Sequence, residues 1–198
     1  DGRGSFKGES FHAPALGLCR TDTLPESRRP MSPFALLICL GCFAAATLQL
    51  LHYLPLLPEK MIIRFDMDGQ PNGWMDKDAF APYYVLLLSG VTGIFVLFGL
   101  LTPTLPARMM RIPSAAYWLA PERRAETLKY MREFYLWSGA FAGLFIVAMM
   151  EMVFKINLSA APQLDNYLFY TALGIFSAAC LLATALVFWR FRKPADTA

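Results

Sequence analysis

Apolar residues are gathered into four long blocks, which are separated by shorter polar segments. Each block is close to the roughly 20 residues that a helix needs to cross the hydrocarbon layer of a bilayer. No block contains Lys or Arg, and a single acid, Glu151, lies near the end of the third block. The pattern predicts four membrane-spanning helices, over residues 34–54, 83–102, 134–154 and 167–189.

Composition supports the same interpretation. The chain is 56% hydrophobic and 17% charged, whereas an ordinary soluble domain has roughly 45–50% and about 25%. A soluble helical bundle is the alternative, but its helices should each show a polar face. The stretch FAGLFIVAMM, residues 141–150, shows none. We therefore predict an all-α fold, an integral membrane four-helix bundle.

Basic residues indicate the orientation of the bundle, because cytoplasmic loops carry an excess of Lys and Arg. One end of the predicted bundle has Arg20, Arg28, Arg29, Arg108, Arg111, Arg123, Arg124, Lys129, Arg132, Arg190, Arg192 and Lys193. The other end has only Lys60, Arg64, Lys77 and Lys155. Both termini are thus expected in the cytoplasm. These flanks account for the net charge of +3, so a lipid bilayer is the expected partner and nucleic acid is not.

Residues 1–30 differ from the rest of the chain, since they are polar and rich in Gly, Pro, Ser and Arg. This composition predicts a disordered N-terminal extension, followed by a membrane domain over residues 31–198. Met31 stands directly before the first span and is a candidate start of the natural protein. Cys39 and Cys42 form a C-x-x-C inside the first span, where Cys behaves as a small apolar residue.

Two further patterns concern packing. Gly139 and Gly143 form a G-x-x-x-G, and Gly41 and Ala45 have the same spacing. Such pairs let helix backbones approach closely, so they support a compact bundle and a homodimer.

Residues 121–133 have charged side chains on one face and apolar ones on the other. They predict an amphipathic helix along the cytoplasmic surface that runs into the third span.

The loop after the first span contains RFDMDGQPNGWMDK, residues 64–77. Residues 61–65 are β-branched enough for a short strand, and DGQPNG is dense in turn residues, with Gly69 and Gly73 able to take positive φ. Asp76 is a candidate N-cap for the helix that follows. The loop is predicted to be a small folded extracytoplasmic cap.

The segment PLLPEKMIIRFDMDGQPNGWMDK resembles the signature of bacterial membrane proteins with the domain of unknown function 1648, which also occurs in SdpI-type immunity proteins. The matching positions are Leu57, Pro58, Phe65, Gly69, Pro71, Asn72, Gly73, Trp74 and Lys77. RIPSAAYWLAPERR is similar to a segment in a subset of these proteins. Arg64 stands where the family usually has His, which argues against a role that needs a titrating imidazole.

The resemblance implies a protein of the bacterial cytoplasmic membrane that is not an enzyme and that senses or binds something outside the cell. The residues that would bind a peptide, lipid or protein partner are Arg64, Asp66, Asp68, Asn72, Trp74 and Lys77. A purely structural cap is the first alternative. Metal binding is the second, but Pro71 occupies the position where an EF-hand loop needs Gly, and no cofactor is expected.

Catalysis has little support, because His12 and His52 are the only histidines and no catalytic constellation follows from spacing. Glu151 is the one acid within a span, with Gln49 of the first span as its candidate partner. It is either half of an interfacial ion pair with Lys155 or a substrate or proton site of a small transporter. Asn157 begins an N-x-S glycosylation pattern that we attribute to chance.

Overall fold

The computed structural model describes residues 33–106, 110 and 112–192. Within these residues, five α-helices and two strands follow in the order α1 (Pro33–Tyr53), β1 (Lys60–Phe65), β2 (Pro71–Asp76), α2 (Lys77–Leu101), α3 (Ala115–Trp118), α4 (Pro121–Asn157) and α5 (Asn166–Arg190). A short 3-10 turn, Leu54–Leu56, extends α1. The predicted disordered extension over residues 1–30 lies outside the described residues.

The four long helices α1, α2, α4 and α5 correspond to the four predicted spans, and each is long and apolar enough to cross a membrane. The prediction of a helical bundle with four long apolar helices is confirmed to that extent. Two helices begin earlier than their apolar blocks, α2 at Lys77 and α4 at Pro121, and both starts agree with the predictions of an N-cap at Asp76 and of a helix from residue 121. The predicted surface helix and third span form one uninterrupted helix of 37 residues, about 55 Å long at 1.5 Å per residue.

Helix α4 is the centre of the bundle and packs mainly against α2 and α1. Its two buried glycines make this possible: a Cβ on Gly139 would lie 2.9 Å from Phe95 Cβ, and one on Gly143 would lie 3.0 Å from Thr92 Cγ2 and 3.2 Å from Cys42 Sγ. The G-x-x-x-G thus brings helices of the same chain together. Gly41 has nothing within 4 Å of such a Cβ. The predicted homodimer stays a prediction.

Apolar side chains are buried in two clusters. The larger lies beneath the strands, where Tyr53 stacks on Phe154 with ring centroids 4.9 Å apart and Phe80 meets Phe154 edge-on at 5.5 Å. Its buried members are Cys42, Ala46, Leu57, Met61, Phe80, Tyr84, Leu88 and Phe154. The smaller cluster, at the opposite end of the bundle, contains Ile112, Met131, Val187 and Phe191. We call the end of the bundle that contains the larger cluster the hairpin end, and the end that contains the smaller cluster the arginine end.

Strands β1 and β2 form an antiparallel hairpin, in which Met61 pairs with Met75 and Ile62 with Trp74. The predicted strand at residues 61–65 is confirmed. The predicted turn is too long, since Pro71 and Gly73 belong to β2. Gly69 has a φ of 79°, whereas Gly73 does not have positive φ. Gly73 instead makes room for Arg64, because a Cβ added to residue 73 would lie 3.0 Å from Arg64 Cβ.

Helix α5 is held chiefly at its two ends. Only 6% of its most apolar stretch is buried, against 22–33% in the other three long helices. Near the arginine end, Trp118 Nε1 donates to Phe191 O at 2.8 Å and Arg190 Nη2 pairs with Glu126 Oε1 at 2.8 Å. In the middle, the Phe176 ring stacks on Phe145 at 4.1 Å.

Candidate functional site

The hairpin presents one face to the helices and another outward. Ile63 and Met75 pack against the larger cluster, of which Met61 is a fully buried member. Alternate residues of β2 point away from it, as the pleat of a strand requires. Their most prominent member is Trp74, whose side chain remains 59% exposed. The hairpin thus exposes an aromatic side chain to solvent or to a partner.

The turn between the strands is held by Asp66. Its Oδ1 accepts hydrogen bonds from the backbone N–H of Asp68 at 3.0 Å and of Gln70 at 2.8 Å. An Asp side chain that bonds the backbone two residues on is a common way of fixing a turn. Asp66, predicted from the sequence as a binding residue, therefore has an evident structural role.

The hairpin is tied to α4 through Asn157. Asn157 Oδ1 accepts from Ile62 N–H at 2.7 Å, and Asn157 Nδ2 donates to Ile62 O at 3.0 Å and to Val153 O at 2.9 Å. The amide therefore bonds the outer edge of β1 much as a neighbouring strand would. Nδ2, the atom that glycosylation would modify, donates both of its hydrogen bonds inside the fold.

The turn is also tied to the start of α5. Leu164 N–H donates to Gly69 O at 2.9 Å, and Asn166 Nδ2 donates to Met67 O at 2.9 Å. Gly69 is required at this junction, because a Cβ would lie 2.6 Å from Leu164 O. Since the hairpin is bonded to both α4 and the α4–α5 loop, its exposed face has a defined position on the bundle.

Five of the six predicted binding residues are exposed on the hairpin and its turn: Arg64, Asp66, Asp68, Asn72 and Trp74. Lys77 is different, since its Nζ lies 3.4 Å from Glu59 Oε1 and 3.5 Å from Leu57 O and its side chain is 21% exposed. It ties the start of α2 to the chain before β1. The exposed set combines a cation, two acids, an amide and an indole, which suits the recognition of a polar partner with an apolar anchor.

A polar network lies within the bundle, below the hairpin. Gln49 Nε2 donates to Glu151 Oε2 at 3.0 Å, and Tyr53 Oη donates to Glu151 Oε1 at 2.6 Å. Tyr84 Oη donates to Gln49 Oε1 at 2.7 Å, and Lys155 Nζ lies 3.2 Å from Glu151 Oε1. The predicted contact between Gln49 and Glu151 is present, and so is the ion pair with Lys155. The network joins α1, α2 and α4.

The chemistry of this network suits an ionised acid. The partners of Glu151 in it are donors, and a carboxylate only accepts. Glu151 and Lys155 also line an open cleft of about 360 Å³ between the end of α4 and the start of α5, together with Ser159, Gln163 and Asp165. The same carboxylate therefore belongs both to the interhelical network and to a surface that a small polar molecule could reach.

Sequence reasoning missed Tyr53, Tyr84 and Asn157. The two tyrosines lie near the ends of apolar blocks, where Tyr usually marks a membrane interface, so nothing in the pattern pointed to buried hydrogen bonds. Asn157 was considered only as part of a glycosylation pattern. Within residues 33–106, 110 and 112–192, no group of three or more His, Cys, Asp or Glu side chains is placed to hold a metal ion.

Comparison of the chain with protein-family models, curated proteins and solved structures found no match in any of the three.

Proposed function

We propose that this chain is a non-enzymatic, multi-pass protein of the bacterial cytoplasmic membrane, whose hairpin lies outside the cytoplasm and binds a peptide or protein there. Basic residues support this orientation, because cytoplasmic flanks are enriched in Lys and Arg. In the sequence, the segments that follow the second and fourth predicted spans contain Arg108, Arg111, Arg123, Arg124, Lys129, Arg132, Arg190, Arg192 and Lys193. Those at the hairpin end contain Lys60, Arg64, Lys77 and Lys155.

The observation that carries the proposal is the exposure of Trp74 on an anchored hairpin. An isolated two-stranded hairpin is marginally stable in water, but this one is bonded to α4 through Asn157 and to the α4–α5 loop through Leu164. Trp and Arg are the side chains that most often dominate protein interfaces. A surface that is already ordered loses little conformational entropy when it binds.

The outer edge of β2 offers a second means of contact. The hairpin is a two-stranded sheet, so β2 has no strand beyond it in the described part of the chain. The corresponding edge of β1 is covered at Ile62 by Asn157. An extended segment of a partner can add to a free strand edge through backbone hydrogen bonds. Trp74 and Asn72 would flank such a segment.

The resemblance to SdpI-type proteins suggests what the partner is. Such proteins protect the cell from a secreted toxin and signal its presence, so we propose a membrane-active peptide as the ligand. This step is an analogy, because function belongs to a site and not to a fold. The exposed hairpin provides the site to which the analogy refers.

Deletion of the gene followed by challenge with membrane-active peptides tests the proposal. Wild type and Trp189→Ala should restore survival, whereas Trp74→Ala should not; Trp189 is also exposed but lies near the arginine end. If deletion leaves survival unchanged across such peptides, the immunity proposal fails. If Trp74→Ala and Trp189→Ala protect equally, the hairpin face is not the binding surface.

Topology is tested separately with single cysteines in a cysteine-free background. A cysteine at Asn72 should react with a membrane-impermeant thiol reagent in intact cells, and one at Arg124 should react only after the cells are opened. The reverse result would put the hairpin in the cytoplasm and remove the basis for an outside ligand.

A small transporter is the second candidate, and the cleft lined by Glu151 and Lys155 favours it. An ionisable group within a span is a functional candidate in its own right. Transport predicts that Glu151→Gln abolishes uptake into vesicles while Trp74→Ala leaves it unchanged. Recognition by the hairpin predicts instead that Trp74→Ala lowers survival more than Glu151→Gln does.

A further inference from the structure

Helices α4 and α5 enclose two spaces along one seam. The larger is an apolar cleft of about 730 Å³, which α2 closes on its third side. Aromatic rings form much of its wall, namely Phe95, Phe134, Trp137, Phe141 and Phe176. Small residues of α5, among them Ala179 and Ala183, leave the space open. A cavity lined in this way excludes water and accepts apolar ligands.

The smaller space, of about 220 Å³, lies at the arginine end and is polar. Arg123, Glu126 and Arg190 contribute its charges, so the pocket has one positive charge in excess. The Arg123 guanidinium lies 4.1 Å from the centre of the Tyr117 ring, and that of Arg190 lies 4.9 Å from the centre of the Tyr130 ring. Stacking on aromatic rings holds both cations at the rim.

The ion pair of Arg190 with Glu126 does not prevent Arg190 from binding an anion. The Glu126 side chain is 75% exposed, and a surface ion pair contributes about 0–1 kcal/mol. Arg190 Nη2 bonds Glu126, and a guanidinium has five N–H donors in all. Donors therefore remain for a phosphate, which Arg binds through paired hydrogen bonds.

The two spaces follow one another along α4 and α5. On α4, Tyr130 of the pocket is one turn from Phe134 of the cleft. On α5, Thr184 of the cleft and Arg190 of the pocket are six residues apart, which is about 9 Å along a helix. A ligand that fills both has an anionic head and an apolar tail.

The surroundings of the cleft favour a hydrocarbon chain as the tail. The cleft follows α4 from Phe134 to Ala142, about 12 Å. An acyl chain can lie along an apolar groove of that length, and acyl chains are the material that surrounds a membrane-spanning helix.

We propose that the α4–α5 seam binds an anionic phospholipid, with its phosphate on Arg123 and Arg190 and one acyl chain in the apolar cleft. Basic pockets between spanning helices on the cytoplasmic side are known to bind anionic head groups. The site requires that the helices span a membrane, but it is independent of what the hairpin binds.

Native mass spectrometry of the full chain tests the site, after purification from vesicles with equal amounts of phosphatidylglycerol and phosphatidylcholine. Wild type should retain phosphatidylglycerol preferentially. Arg123→Gln and Arg190→Gln should each lower its retention by roughly fivefold, the equivalent of about 1 kcal/mol per basic residue at a membrane surface. Arg124→Gln removes an exposed arginine outside the pocket and should change nothing.

Two further variants separate lipid binding from structural damage. Glu126→Gln breaks the same ion pair as Arg190→Gln but removes a negative charge, so it should raise retention of phosphatidylglycerol. Ala183→Phe fills the cleft and should lower retention, whereas Ala185→Phe puts the same bulk on an exposed part of α5 and should not.

Several results would overturn the proposal: equal retention of the two lipids by wild type, a loss in Glu126→Gln that matches Arg190→Gln, or equal behaviour of the two α5 variants. Recovery of a lipid-free dimer that Ala183→Phe dissociates would show that the cleft holds a second copy of the chain, and the proposal would then be wrong.

Discussion

The side-chain amide of Asn157 bonds both backbone groups of Ile62, accepting from its N–H at 2.7 Å and donating to its carbonyl at 3.0 Å. Ile62 lies opposite Trp74 in the hairpin, and its own N–H and carbonyl face Asn157 and not β2. The last residue of α4 therefore completes the hydrogen bonding of the residue opposite the exposed tryptophan. This contact links the bundle to the proposed binding face.

Replacing Asn157 should loosen the hairpin. Asn157→Ala removes three hydrogen bonds, two to Ile62 and one to Val153, and the expected cost is about 1–3 kcal/mol. Hydrogen exchange should show faster exchange at the Ile62 amide by tenfold or more, since about 1.4 kcal/mol is a factor of ten. Asn72→Ala, an exposed asparagine of the same hairpin, is the control. Equal exchange at Ile62 in the two variants would show that the Asn157 contact contributes little.

Gly69→Ala should disrupt the junction between the turn and α5. The residue has a φ of 79°, which L side chains rarely adopt, and its Cβ would lie 2.6 Å from Leu164 O. Strain of this kind costs about 1–3 kcal/mol. Gly174→Ala, in an open position on α5, should cost nothing because Ala favours a helix. Thermal unfolding in detergent compares the two, and a higher Tm for Gly69→Ala than for Gly174→Ala would contradict this account.

Gly139→Ala should push α4 away from α2. The added Cβ would lie 2.9 Å from Phe95 Cβ, and overpacking of this kind typically costs about 1–3 kcal/mol. Gly41→Ala meets nothing within 4 Å and serves as the matched helical control within the bundle. Unfolding in detergent should distinguish the two variants clearly. An unchanged midpoint for Gly139→Ala would mean that α2 and α4 can separate at little cost.

Tyr84→Phe should weaken the interhelical network without creating a cavity. The change removes the 2.7 Å hydrogen bond to Gln49 Oε1, and interhelical hydrogen bonds in membranes contribute about 0.6–2 kcal/mol. Tyr83→Phe removes a hydroxyl from an exposed side chain of the same helix and should have no effect. The measurement is the free energy of unfolding in mixed micelles. If Tyr83→Phe lowers this free energy as much as Tyr84→Phe does, the hydrogen bond from Tyr84 to Gln49 is not what stabilises the bundle.

The sequence could predict the helices because long apolar blocks have few alternatives. It could also predict the contact between Gln49 and Glu151, since two polar side chains at similar depth in neighbouring spans tend to meet. The helix starts at Lys77 and Pro121 lie outside the apolar blocks and were predicted from capping and charge patterns, namely Asp76 as an N-cap and the amphipathic pattern from Pro121. The prediction for Gly69 rested on turn chemistry and proved correct.

Sequence patterns predicted neither strand β2 nor the hydrogen bonds that hold the hairpin on the bundle. PNGWMD has weak β-propensity because of its Pro, Asn and Gly, and it becomes a strand only through pairing with β1. The role of Asn157 depends on a backbone partner, Ile62, which is 95 residues away in the chain. A side chain that bonds backbone leaves no pairing signal in the sequence, because any residue at position 62 would supply the same groups.

The two hydrogen bonds from the start of α5 to the hairpin turn, Leu164 N–H to Gly69 O and Asn166 Nδ2 to Met67 O, have a mechanical consequence. A force on the turn either breaks both bonds or moves the first turn of α5. Of the four long helices, α5 has the smallest buried share, so it offers the least resistance to such a displacement. A displacement of the turn would therefore be passed on to the first turn of α5.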